Sequence, residues 1–128
     1  MKELVRIATE NAPAAVGPYS QAMAADGMLY VSGQLGLDPK TMTLPEGFAA
    51  QADQSLKNLD AILTEAGCQR TDIVSVDVFL VDMAEFKTLN ELYADFMGDH
   101  KPARAAVQVA ALPLGGLVEI KCVARVSS

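Results

Sequence analysis

Two charges stand in the last quarter of the chain where apolar, strand-like sequence surrounds them. Arg104 opens the run Ala103-Arg104-Ala105-Ala106-Val107-Gln108-Val109, which continues to Leu112-Pro113, and Glu119 sits inside Leu117-Val118-Glu119-Ile120. A guanidinium is a planar fork that matches a carboxylate through two parallel hydrogen bonds. Two readings are open. Buried charges are usually paired, so Arg104 and Glu119 could bond each other across neighbouring strands. Alternatively, Arg104 is an anchor for a small carboxylate.

Other residues offer less chemistry. His100 is the one histidine, in Asp99-His100-Lys101-Pro102, and the two cysteines, Cys68 and Cys122, lie far apart. Nothing has metal-ligand spacing, so His100 reads as a solvated loop residue and side-chain nucleophilic hydrolysis is not expected. Gly115-Gly116 lacks the helix and the Gly-Lys-Ser/Thr of a phosphate loop, and is a turn between strands. Gly33, in Ser32-Gly33-Gln34, is either a strand-end turn or a place where backbone approaches a ligand. Asn90 is a helix-flank amide or a pocket residue, and Tyr19 is core or pocket rim. Cys122 alternates with apolar residues and reads as an inert core thiol.

These residues must be positioned by a regular frame. Ala25-Asp26-Gly27 before Met28-Leu29-Tyr30-Val31-Ser32 signals a hairpin whose first strand spans about Tyr19 to Ala24. A helix is predicted over Ala49–Ala66, with Leu56, Leu59, Ile62 and Leu63 on one face and Thr43 with Glu46 as a capping box. A second helix spans Ala84–Met97, with Leu89, Leu92, Tyr93 and Phe96 inward and Asp82 with Glu85 marking its start. Strands are expected at Ile73–Val81, with Val74, Val76, Val78 and Leu80 on one face, at Arg104–Val109, and at Leu117–Val126. In the last, Val118, Ile120, Cys122, Ala124 and Val126 oppose Glu119, Lys121 and Arg125. The order is β, β-hairpin, α, β, α, β, β. It describes one α+β domain over residues 1–128, a two-layer mixed sheet with both helices on one face. The other face would carry Leu117, Val123, Ala106, Phe79 and Val81 uncovered, which points to self-association.

Composition narrows the function classes. Apolar residues make up 51% and aromatics only 5%, so aliphatic side chains must fill the core. Net charge is −6, and the ten basic residues are scattered, so nucleic acid is not an expected partner. Residues 1–10 hold no long apolar run, and no segment reaches membrane-spanning length, so a cytoplasmic protein is expected.

Several motifs in sequence order resemble the RidA (YjgF/YER057c/UK114) family. They are Asn11-Ala12-Pro13, Gly17-Pro18-Tyr19-Ser20, Val31-Ser32-Gly33-Gln34, Gln54-Ser55-Leu56-Lys57-Asn58-Leu59, Leu89-Asn90-Glu91-Leu92-Tyr93 and the block from Pro102-Ala103-Arg104 to Glu119-Ile120. The resemblance implies a chorismate-mutase-like fold, a homotrimer with clefts between subunits, and hydrolysis of reactive enamines and imines to 2-keto acids and ammonia. It implies no cofactor and no metal. Arg104 takes the substrate-carboxylate position, and Glu119 that of the acid holding or activating water. Tyr19, Ser32, Gly33 and Asn90 match pocket-lining positions. One departure is Ala106, where many bacterial members carry cysteine, so no thiol can act there. A 2-keto-acid-binding regulator and an RNA-cleaving translation inhibitor are the alternatives that such a fold leaves open.

Overall fold

The computed structural model describes residues 3–126. Met1, Lys2, Ser127 and Ser128, included in the single-domain expectation, lie outside the described residues. The elements are β1 (Val5–Ile7), β2 (Ala22–Ala25), β3 (Met28–Leu35), α1 (Phe48–Glu65), β4 (Ile73–Leu80), α2 (Phe86–Met97), β5 (Ala103–Gln108) and β6 (Val118–Arg125). They form one six-stranded sheet in the order β1-β2-β3-β6-β4-β5. All neighbours are antiparallel except β4 and β5. That parallel pair needs a crossover, which α2 supplies. The mixed sheet and two helices match the expected α+β layout.

Local chemistry explains the hairpin. Asp26 and Gly27 both take positive φ, 50° and 80°, so Ala25 pairs directly with Met28. A two-residue turn of this hand matches the twist of the strands. The first hairpin strand is shorter than expected, because Gln21 is buried and turns its amide to the preceding loop. Its Oε1 accepts from Thr9 N (2.7 Å) and its Nε2 donates to Pro13 O (2.8 Å). Tyr19 and Ser20 therefore remain in loop.

Helix α1 buries Leu56, Leu59, Ile62 and Leu63 as expected. The Thr43–Glu46 capping box does not form. The helix starts after Gly47 with no side-chain cap, and the Thr43 hydroxyl is engaged by Thr41 (2.7 Å). Instead, a band of polar residues within the helix closes the far end of β3. Ser55 Oγ donates to Gln34 O (2.7 Å), and Asn58 Nδ2 donates to Leu37 O (2.9 Å). This contact is close. A Cβ added to Gly36 would run into the Gln51 backbone carbonyl, with Gln51 Cα only 2.6 Å away. Backbone cannot yield as a side-chain tip does, so Gly36→Ala is expected to cost about 3 kcal/mol. A urea denaturation midpoint unchanged by that substitution would contradict the packing described.

Two further expectations are corrected. In β4 the pairing with β6 shifts between Ile73 and Ser75. This irregularity puts Ile73 in the core and leaves Val74 exposed, while Val76, Val78 and Leu80 stay buried. Helix α2 begins at Phe86 rather than Ala84. Asp82 caps a short 3₁₀ turn over Met83–Glu85, accepting from Ala84 N at 2.9 Å.

Both helices lie on the sheet face that carries Val31, Val76, Val78, Ile120 and Cys122. Of the residues expected on the opposite face, Phe79 and Val123 keep that place. Ala106 is opposite Val78 in the parallel register and packs with the core, as does Leu117. Val81 borders a cavity with Phe48 of α1. Among the described residues no second layer covers the open face, where Tyr30 is 51% and Val107 45% exposed.

Candidate functional site

The strand order separates Arg104 from Glu119. β4 lies between β5 and β6, so Arg104 and Glu119 are not on neighbouring strands. Arg104 is in register with Val76, which pairs with Cys122, and these share the helix face. Glu119 pairs with Phe79 and lies on the open face. Two strand spacings across, and three residues along, each amount to roughly 10 Å. Arg104 and Glu119 therefore do not pair within one chain. The ion-pair reading is excluded.

Around Glu119 the loops and β3 build a cleft of about 360 Å³ whose lining includes Pro13, Tyr19, Ser32, Gly33 and Leu35. A bulge makes room for the carboxyl. Pairing jumps from Val31↔Cys122 to Gln34↔Ile120, so Ser32 and Gly33 together oppose Lys121. Bulges of this kind re-aim side chains beside functional sites. Gly33 is glycine for a steric reason: a Cβ there would lie 2.8 Å from Glu119 Cδ and 2.9 Å from Oε1. Ser32 donates its hydroxyl to Ser20 O, fixing the loop that presents Tyr19. The Tyr19 hydroxyl accepts from Val16 N (3.3 Å). Burial pushes the Glu119 carboxyl above the usual range, since desolvation disfavours the charged form.

The second group is built by α2 and the edge strand β5. Arg104 Nη1 donates to Asn90 Oδ1 (2.8 Å). The guanidinium carbon lies 4.8 Å from the Tyr93 ring centroid and 5.6 Å from that of Phe86. Among the described residues no acid pairs with Arg104. Its remaining N–H donors are available to a ligand.

So Tyr19, Ser32, Gly33 and Glu119 come together, and Arg104 and Asn90 come together, on opposite faces. Sequence reasoning missed Phe86 and Tyr93 as partners of Arg104. Tyr93 reads from the sequence as part of the apolar stripe, although the i, i+4, i+7 spacing of Phe86, Asn90 and Tyr93 does put them on one helix face. His100 is not a solvated loop residue. It is half-buried, with Nε2 2.7 Å from Ile73 O, and ties the segment leading to β5 onto β4. Cys122 is a core thiol with its pKa pushed up to about 12 by burial. Among the described residues no three potential ligand side chains converge as a metal site, and no helix is long and apolar enough to cross a membrane.

The family model described as Endoribonuclease L-PSP matches residues 9–126. The chain belongs to this family, the RidA family. Among RidA relatives, the Bos taurus protein named 2-iminobutanoate/2-iminopropanoate deaminase is 50% identical over 97% of this chain and 93% of its own length. The crystal structure of RidA from the Antarctic bacterium Psychrobacter superposes with a TM-score of 0.93 at 50% identity, covering 94% of this chain and 98% of that one. Escherichia coli TdcF, solved with bound serine, gives 0.92 at 39% identity, over 96% and 99% of the two chains. Sequence and backbone thus agree on the family over nearly the full length.

Proposed function

We infer that this chain is a 2-iminobutanoate/2-iminopropanoate deaminase, which converts reactive imines and their enamine tautomers into 2-keto acids and ammonia, acting at a site shared between subunits. The full-length relationship to proteins named for that reaction supports the chemistry. The single observation that carries the shared site is the placement of Arg104 and Glu119 on opposite faces of one sheet.

Arg104 grips the substrate carboxylate with the N–H groups not used by Asn90. Water adds to the adjacent C=N carbon of the protonated imine, and Glu119 accepts the water's proton. The resulting carbinolamine collapses as Glu119 returns that proton to nitrogen. The C–N bond then breaks as the Glu119 carboxylate takes the hydroxyl proton, so that ammonia leaves, the carbonyl of the 2-keto acid forms, and Glu119 passes its proton on to the departing ammonia. A carboxylic acid with raised proton affinity suits this two-way transfer. For 2-aminoacrylate, protonation at the terminal carbon first gives the imine. The cleft beside Glu119 is small and lined in part by apolar groups, which suits a short alkyl side chain. The serine bound to a relative is also a small molecule with one carboxylate.

The Arg104 group of one copy meets the Glu119 group of the next. These are different surfaces, so the contact is head-to-tail, and such contacts form a ring where the rotation between copies closes. Three subunits, as the family resemblance implies, would make three clefts, with the open sheet faces turned to one another.

Mixing inactive variants tests this. Arg104→Ala and Glu119→Ala chains, each with its own tag, are co-expressed at equal levels. Random assembly is expected to restore roughly a quarter of wild-type activity, because one interface in four pairs an intact Arg104 with an intact Glu119. Mixed assemblies with no recovered activity would refute the shared site.

A further inference from the structure

We propose that Tyr93, helped by Phe86, is a positioning residue that sets the plane of the Arg104 guanidinium and so the angle at which the substrate carboxylate is received. This inference rests on the reading of Arg104 as the substrate anchor.

Arg104 is an exposed residue on an edge strand. An arginine in that setting samples many rotamers and loses that freedom when it grips a ligand. Here its donors are already arranged. Asn90 holds Nη1 at 2.8 Å, which fixes one point but leaves the fork able to rotate about that bond. The second constraint is a surface. The Tyr93 ring stands 4.8 Å from the guanidinium carbon and the Phe86 ring 5.6 Å. Both distances are within cation–π range. A point contact and a face together define the plane, and a bidentate hydrogen bond is useful only when that plane is right.

The Tyr93 hydroxyl adds a diagnostic. It is buried and, among the described residues, has no hydrogen-bond partner, and an unpaired buried hydroxyl is a cost to the fold. The ring is therefore the part that acts on Arg104, and the two parts of the side chain can be separated experimentally. Burial pushes the pKa of this phenol up while Arg104 opposes the rise, so the group facing the guanidinium is a neutral ring.

The experiment compares Tyr93→Leu, Tyr93→Phe and Phe86→Leu with wild type, and Tyr93→Leu with and without Arg104→Ala. Steady-state kinetics use 2-iminobutanoate generated in situ, and calorimetry uses 2-ketobutyrate. Tyr93→Leu is expected to raise KM and weaken 2-ketobutyrate about tenfold, with kcat nearly unchanged, as loss of a partly desolvated cation–π contact would do. Tyr93→Phe should stay within about twofold of wild type and unfold at a higher temperature. In the Arg104→Ala background, Tyr93→Leu should cause no further loss. If Tyr93→Leu fails to fold, Phe86→Leu reads the same effect at a partly exposed position, with KM raised about threefold. The proposal is overturned if Tyr93→Leu and Phe86→Leu leave KM unchanged while Arg104→Ala is impaired, or if Tyr93→Phe loses as much as Tyr93→Leu. An Arg104→Ala protein with wild-type KM and kcat would overturn the site reading itself, and this inference with it.

Discussion

Arg104→Ala is expected to lower kcat/KM for 2-iminobutanoate by about two to three orders of magnitude, because a bidentate charge-assisted contact is worth roughly 3–4 kcal/mol. The loss should fall mainly on substrate capture. Arg104→Lys is expected to recover only part of it. An ammonium keeps the charge but cannot hold the Asn90 amide and two carboxylate oxygens at once from one plane. The check is turnover of 2-iminobutanoate released by a dehydratase, followed as keto-acid formation. A wild-type rate in the alanine variant would remove Arg104 from the reaction. Unfolding is not a confounding outcome, since Arg104 is exposed and its replacement leaves no cavity in the core.

Glu119→Gln should lower kcat by about 10²–10⁴, the usual worth of a positioned acid–base group. It should also change two pH dependences. In the wild type, kcat/KM is expected to fall on the acid side as Glu119 is protonated, at a pH above that of an ordinary carboxylate because burial has raised it. The glutamine variant should lack that limb. Stability moves the other way. The folded protein binds the Glu119 proton more tightly than the unfolded chain does. The associated stabilisation is therefore full below the unfolded pKa, about 4.3, and is lost as pH rises through the folded value. At pH 7 the ionised carboxylate is a burden on the fold, so Glu119→Gln should unfold at a higher temperature there. The advantage should vanish near pH 4. A variant less stable at pH 7 would show that the carboxylate is held by partners rather than desolvated.

Much of this frame is legible in the sequence because it is decided locally. Asp26-Gly27 dictates its turn whatever surrounds it, and the alternation from Val118 to Ala124 places Cys122 inward without knowledge of its neighbours. The helix stripes from Leu56 to Leu63 are equally local. What escapes is decided at long range. A strand before the hairpin is part of the expected order, but the bounds of β1, Val5–Ile7, and its pairing with Ala22–Ala24 are set by a tertiary event. The shift that exposes Val74 exists only against β6. The polar band of α1 is opaque until the carbonyls of Gln34 and Leu37 arrive above it. The pairing of β4 with β5, and the insertion of β6 beside β3, put Arg104 and Glu119 on different faces. No residue near either one reports that. For the same reason Tyr93 reads as core, since its second role depends on a strand ten residues further on.

The separation of those two charges has a genetic consequence. In the ring of three proposed above, every chain would serve two clefts, giving the anchor to one and the acid to the other. A chain that folds and assembles but lacks both Arg104 and Glu119 would silence two clefts of three. A cell carrying one such allele beside a normal one would lose more than half of its activity. A chain defective at both positions should therefore behave as dominant, whereas a chain that cannot assemble at all, as a severely destabilised core variant would be, should behave as recessive.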